Sequence, residues 1–130
     1  MTLRPMLASA MVAPITGEEF DRRFGTDLWA LEQKLDGHRC IVRVAGADVA
    51  AFSRPRSSSR DGLRRSLPPE MVAVLRRLGD CHLDGELVNA STGKSWDVVT
   101  KGAQLVFVAF DLLATGPTDC TPFTYERRVW

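Results

Sequence analysis

The sequence predicts an α+β domain, an antiparallel β-sheet core with flanking short helices, and three observations carry that prediction. Segments 38–44, 49–53, 81–88 and 105–113 have strand-like apolar patterning and are bounded by turn residues. Segments 17–24 and 68–78 carry helix start and stop signals. The chain has 130 residues, 45% hydrophobic and 25% charged, which is the size and composition of one ordinary globular domain.

Residues 1–15 read as an extended lead-in. Thr16 and Glu19 then form a capping box, so a short helix is expected over 17–24, ended by Gly25. Residues 28–34 mix apolar and polar side chains and fit a strand. Cys40, Val42 and Val44 share one face of the next strand, 38–44, and a turn over 45–48 leads to its hairpin partner, 49–53. Residues 54–66 form a polar loop rich in arginine and serine. Pro68 and Pro69 sit where a helix tolerates a missing N–H, and Met71, Val72, Val74, Leu75 and Leu78 give that helix its apolar face before Gly79. Residues 81–88 form a strand and 89–93 a turn. Residues 105–113 are the most apolar strand, broken only by Asp111, as expected where both faces are covered; Thr115, Gly116 and Pro117 close it. Residues 123–130 begin an amphipathic helix with Glu126, Arg127 and Arg128 outside and Val129 and Trp130 starting its apolar side.

The formal net charge of +1 singles out no class of partner. Cys40, Cys81 and Cys120 are isolated and odd in number, which argues against a zinc site or a disulfide framework and places the chain in a reducing cytoplasm. The apolar stretch 5–15 is interrupted by Pro5 and Pro14 and preceded only by Arg4, a poor secretory signal despite Ala8-Ser9-Ala10. No run approaches the roughly 20 apolar residues that cross a bilayer, so no membrane partner is expected.

The chemistry concentrates in Glu32-Gln33-Lys34-Leu35-Asp36-Gly37-His38-Arg39. On a strand, Lys34 and Asp36 project to one side, Gly37 permits a tight turn, and Arg39 returns from the next strand as a forked cation. Such a cluster suits a phosphate substrate. An attacking amine must be neutral, and a neighbouring cation and partial burial both favour that form. The same residues also fit an exposed hairpin with a Lys–Asp pair and a solvated arginine. His38 and His82 have no spaced partner and are read as strand residues, not metal ligands.

Further short motifs follow in order: Arg4-Pro5-Met6-Leu7-Ala8, Ser53-Arg54, Leu83-Asp84-Gly85-Glu86-Leu87-Val88, Phe107-Val108-Ala109-Phe110-Asp111-Leu112-Leu113 and Tyr125-Glu126-Arg127-Arg128. Together with the lysine motif, the chain resembles bacterial ATP-dependent DNA ligases over essentially its whole length. The resemblance implies a partial ATP-grasp-like nucleotidyltransferase domain, the adenylation domain of such a ligase, over residues 1–130. It implies that Lys34 attacks the α-phosphate of ATP to give lysyl-AMP. It implies that Glu32 accepts from the adenine amino group and that Leu35 belongs to the nucleotide site. Arg39 and Arg54 would bind ribose and phosphate, and later the 5′-phosphate of a nick. Glu86 would hold a ribose hydroxyl or position a metal, Phe110 would stack on adenine, and Mg²⁺ is implied, with Asp36 orienting it through water.

Each role has a plainer structural reading. Asp84 and Glu86 can be strand charges flanking a Gly85 turn, Phe110 core packing, and Glu32 an edge-strand carboxylate. Arg54, Arg56, Arg60, Arg64 and Arg65 lie within twelve residues, opposed only by Asp61. They form either a phosphate-tracking patch for nicked duplex DNA or a solvated loop.

Two departures stand out. The segment between Val88 and Gln104 is short where the family places a helical insertion, with Trp96-Asp97-Val98-Val99 as its remnant; this puts the turn from Lys101 to Gln104 in doubt. The later metal-binding and Lys-x-Lys strands and the oligonucleotide-binding barrel are not found before Trp130. The expectation is therefore a chain truncated relative to the family, weak in ligation by itself, with a sheet edge uncovered and the missing half supplied by another chain. An RNA ligase or mRNA-capping type of nucleotidyltransferase shares the lysine motif, and a non-catalytic remnant that binds nucleic acid is the rival from outside the enzymes.

Overall fold

The computed structural model describes residues 14–26, 29–30, 32–54, 62–94, 98 and 103–129. Among these residues nine elements run in the order α1 (Gly17–Phe24), β1 (His38–Ala45), β2 (Asp48–Ser53), β3 (Arg64–Arg65), α2 (Pro69–Arg76), β4 (Cys81–Asn89), β5 (Leu105–Thr115), β6 (Thr118–Asp119) and α3 (Tyr125–Arg128). The six strands form one sheet, ordered β3-β2-β1-β4-β5-β6, and every neighbouring pair is antiparallel. The α+β expectation holds.

The sheet's two faces follow from strand alternation and register. Cys40, Val42 and Val44 stand opposite Gly85, Leu83 and Cys81 on β4, and all six are buried on one face. Leu75 of α2 and Val98 close over that face, with Leu67, Met71, Leu105, Phe107, Ala109 and Leu112 at its margins. Arg39 pairs with Glu86 and Ile41 with Asp84, so these four side chains belong to the other face.

Several sequence expectations are corrected. Of residues 28–34, those described are in no strand; both sides of β1 are taken, by β2 and β4, so they do not pair with the strand they lead into. The 54–66 loop contains the short strand β3, and Thr115, Gly116 and Pro117 do not end the sheet but turn it into β6, with Gly116 at φ 52°. Gly85 is not at a turn: it lies buried in the middle of β4. On α2, Leu75 is buried but Val74 and Leu78 are 61% and 54% exposed, because the helix rests on the sheet through only part of its apolar side. The residues of β5 are mostly half-buried rather than covered on both faces. At the capping box Thr16 accepts from the Glu19 N–H at 3.2 Å, whereas the Glu19 carboxylate turns along the helix to Arg22 and Arg23. The lead-in motif 4–8, Trp96, Asp97, Val99, Lys101 and Trp130 lie outside the described residues.

Candidate active site

The polar face is organised by two glycines. At Gly37 the chain enters β1 so close to β4 that an added Cβ would lie 2.2 Å from the Leu87 carbonyl oxygen and 2.8 Å from Cγ of Glu86. That approach lets the Gly37 N–H donate to the Glu86 carboxylate. At Gly85 an added Cβ would meet the Val108 carbonyl oxygen at 2.4 Å and the Phe107 ring at 2.5 Å. The register between β4 and β5 slips beside it: Gly85 pairs with Ala109 and Asp84 with Asp111, so Phe110 is the extra residue of a bulge. The bulge re-aims Phe110 toward the polar face, where the guanidinium carbon of Arg39 sits 5.4 Å from its ring centre.

Arg39 is the centre of this face. Its Nε and Nη2 donate to the two oxygens of Asp84 at 2.9 and 2.6 Å, a bidentate pair. Asp84 is 1% exposed, a buried carboxylate satisfied by a fixed partner. Hydrogen bonding to Asp84 holds the Arg39 guanidinium above its usual range, against the effect of burial. Burial likewise raises the Glu86 carboxyl, outweighing the Gly37 N–H and the attraction of Arg39 and Lys34.

The remaining predicted residues divide by location. Lys34 is exposed on the segment before β1, without the partial burial expected of it, and it acts electrostatically on Glu86. Leu35 is half-buried and Asp36 exposed on the same segment. Glu32 is exposed and accepts from the Tyr125 hydroxyl. Arg54 is exposed just past β2. Arg64 pairs with Phe52 and Arg65 with Ala51, so the two leave opposite sides of the sheet and are not brought to one surface. Arg56 and Arg60 lie outside the described residues.

Four residues at this face, Asp84, Asp111, Arg128 and Tyr125, are not singled out as site residues by the sequence. Asp84 stands in the Leu83–Val88 motif, but the sequence assigns it no role beyond a strand charge. Asp111 and Arg128 form an ion pair at 2.6 Å with side chains 16% and 13% exposed, so Arg128 is not on the outer side of α3 as expected. Burial raises the Asp111 carboxyl despite Arg128. Nothing in the sequence ties Tyr125 to Glu32, 93 positions away.

Among the described residues, no group of three or more His, Cys, Asp or Glu side chains is arranged to hold a metal. Mg²⁺ is commonly held by one or two carboxylates with substrate phosphates completing its shell. Glu86 fits that pattern, because a carboxylate accepting one backbone N–H keeps further acceptor positions. A separate cavity of about 370 Å³ lies at the opposite ends of the strands, lined by Arg43, Asp80, His82 and Asp119 among others. Its acids are engaged locally: Asp80 accepts from the Gly46 N–H and Asp119 from Thr121.

The site is one face of an antiparallel sheet that carries a fixed arginine, a half-buried glutamate and an aromatic, entered by a segment that bears Lys34. The chain belongs to the ATP-dependent DNA ligase domain family, whose model matches residues 5–129. It resembles a mycobacterial DNA ligase D complexed with ATP and MES at TM-score 0.58 and 27% identity, covering 75% of this chain and 33% of that one. The ligase domain of M. tuberculosis LigD is similar at TM-score 0.58 and 26% identity, again covering 75% of this chain and 33% of that one. The chain thus spans about a third of the length of these structures. No curated protein sequence matches it.

Proposed function

We propose that the polar face carries out the first step of DNA ligation, transfer of AMP from ATP to Lys34. The observation that supports this reading best is the gathering of Arg39, Glu86 and Phe110 on one sheet face, with Lys34 on the segment that enters it. The Lys34 Nζ lone pair attacks the α-phosphorus, a P–N bond forms, the bond to the pyrophosphate oxygen breaks, and the amine gives its proton to solvent. Arg39 is pre-oriented by Asp84, so its remaining N–H donors meet the nucleotide without reorganisation. Glu86 accepts from a ribose hydroxyl or, with Asp36, holds Mg²⁺, which offsets charge on the phosphates when bound. Phe110 offers an apolar ring to adenine, Leu35 a half-buried floor, and Glu32 an acceptor for the adenine amino group.

Nick sealing is proposed for an assembly in which the remaining nucleotide-binding strands and a closing domain are present, with duplex DNA held by phosphate contacts that include Arg54. A cytoplasmic setting fits three free, buried cysteines. Among the described residues no helix is long and apolar enough to cross a membrane.

The test is incubation with Mg²⁺ and α-labelled ATP or GTP, for the wild type and Lys34→Ala. The expected result is a covalent label from ATP, much weaker from GTP, and absent from the variant. Preferential labelling by GTP would point instead to a capping-type transferase. No label on folded protein, with salt-sensitive DNA binding retained, would favour the non-catalytic reading.

A further inference from the structure

The short helix α3 reaches the polar face through two contacts that the transfer reaction leaves unexplained. At one end Arg128 Nη1 binds Asp111 Oδ2 at 2.6 Å. Asp111 is the residue after Phe110 on β5, so this ion pair docks α3 beside the aromatic proposed to stack on adenine. At the other end the Tyr125 hydroxyl donates to Oε1 of Glu32, the carboxylate proposed to read the adenine amino group. α3 therefore ties the two base-recognising elements to each other, although they are far apart in sequence.

A lone exposed glutamate samples many rotamers, and ordering it opposes binding. A hydroxyl that occupies one carboxylate oxygen removes much of that freedom and leaves the second oxygen as an acceptor. We propose that Tyr125 is a positioning residue for base selection: by holding Oε1 of Glu32 it aims Oε2 at the exocyclic amine of a 6-aminopurine and sets the preference for that base over a 6-oxopurine. A 6-oxo base would present an acceptor to that oxygen, which is repulsive. The Glu32 carboxylate pushes the Tyr125 phenol up to about 12, so the phenol remains a donor throughout the neutral range. The Arg128–Asp111 pair holds the backbone that carries the phenol.

This inference rests on the role given to Glu32 above, and the experiment separates the two. Equilibrium binding of ATP and ITP is measured for the wild type, Tyr125→Phe, Glu32→Gln and the double variant, alongside covalent labelling of Lys34. Tyr125→Phe keeps the ring and is expected to lower the ATP-over-ITP preference by about threefold to tenfold, the effect of one lost hydrogen bond. The double variant is expected to lose no more preference than Glu32→Gln alone, because the phenol acts through Glu32. A Tyr125→Phe protein with the wild-type preference would overturn the inference while leaving adenylation intact. A fully additive double variant, or a wild type with no ATP-over-ITP preference, would overturn it as well. Failure of Lys34 to take label, with the preference present and lowered in Tyr125→Phe, would sink the transfer reaction and uphold the role of Tyr125.

Discussion

With 1% of its surface exposed, Asp84 directs both oxygens at Arg39, and neither residue is well placed without the other. Arg39→Ala would strand a buried carboxylate; the expected loss of stability is about 3 kcal/mol, the low end for broken buried pairs because Arg39 remains part-exposed. Pairing Arg39→Ala with Asp84→Asn should recover much of that loss, and urea denaturation of the three variants measures the coupling. Arg39→Lys should also lose nucleotide affinity, since an ammonium cannot reproduce the fork. Glu86 gives a pH signature. Its carboxyl is raised in the folded state, so the fold binds that proton more tightly than the unfolded chain does. Its contribution is thus fully present below the ordinary glutamate value and is lost as pH rises through the folded value. Relative to Glu86→Gln, the wild type should lose stability over the range from about pH 4 upward. Arg39, Glu86 and Phe110 could be picked out as candidates from the sequence because each sits in a short motif of local spacing. The contacts of Arg39 with Asp84 and of Glu32 with Tyr125 are products of tertiary register and could not be.

The strands that carry the site begin where their patterning places them. β1, β2, β4 and β5 match the expected segments to within a residue or two, and α1 matches 17–24. What failed were elements whose pattern depends on context. The 28–34 stretch has strand-like composition, yet its described residues are in no strand, while the two-residue strands β3 and β6 are too short to show any periodicity. The bulge at Phe110 was equally hidden, because an extra residue in a ladder is defined only against its neighbour. Gly85 is the element's weak point. Gly85→Ala would force a methyl into the Val108 carbonyl and the Phe107 ring, and is expected to destabilise by about 1–3 kcal/mol. It should also disturb the β4–β5 register, which lowers nucleotide binding beyond the loss of stability; thermal melts and ATP titrations together check both.

For the molecule as a whole, the apolar face of the sheet and its cover of α2 and Val98 hold the fold, and the polar face carries the proposed chemistry. Leu83→Ala, at a core position 1% exposed, is expected to cost about 2–5 kcal/mol by chemical denaturation. The cysteines report the same core: all three are buried, and burial pushes the Cys40 thiol up to about 11. Thiol reagents at neutral pH should leave the native protein unlabelled and modify all three after denaturation. The α+β architecture and the ligase resemblance were both legible at this scale, because the motifs recur in order along almost the full chain. The central claim concerns one atom, Nζ of Lys34. The chain's lysines are Lys34, Lys94 and Lys101, so proteolysis and mass spectrometry after incubation with ATP and Mg²⁺ can assign any bound AMP to one of them. The account predicts AMP on the peptide containing Lys34 and nowhere else; AMP on Lys94 or Lys101, or on no lysine of the folded protein, would contradict it.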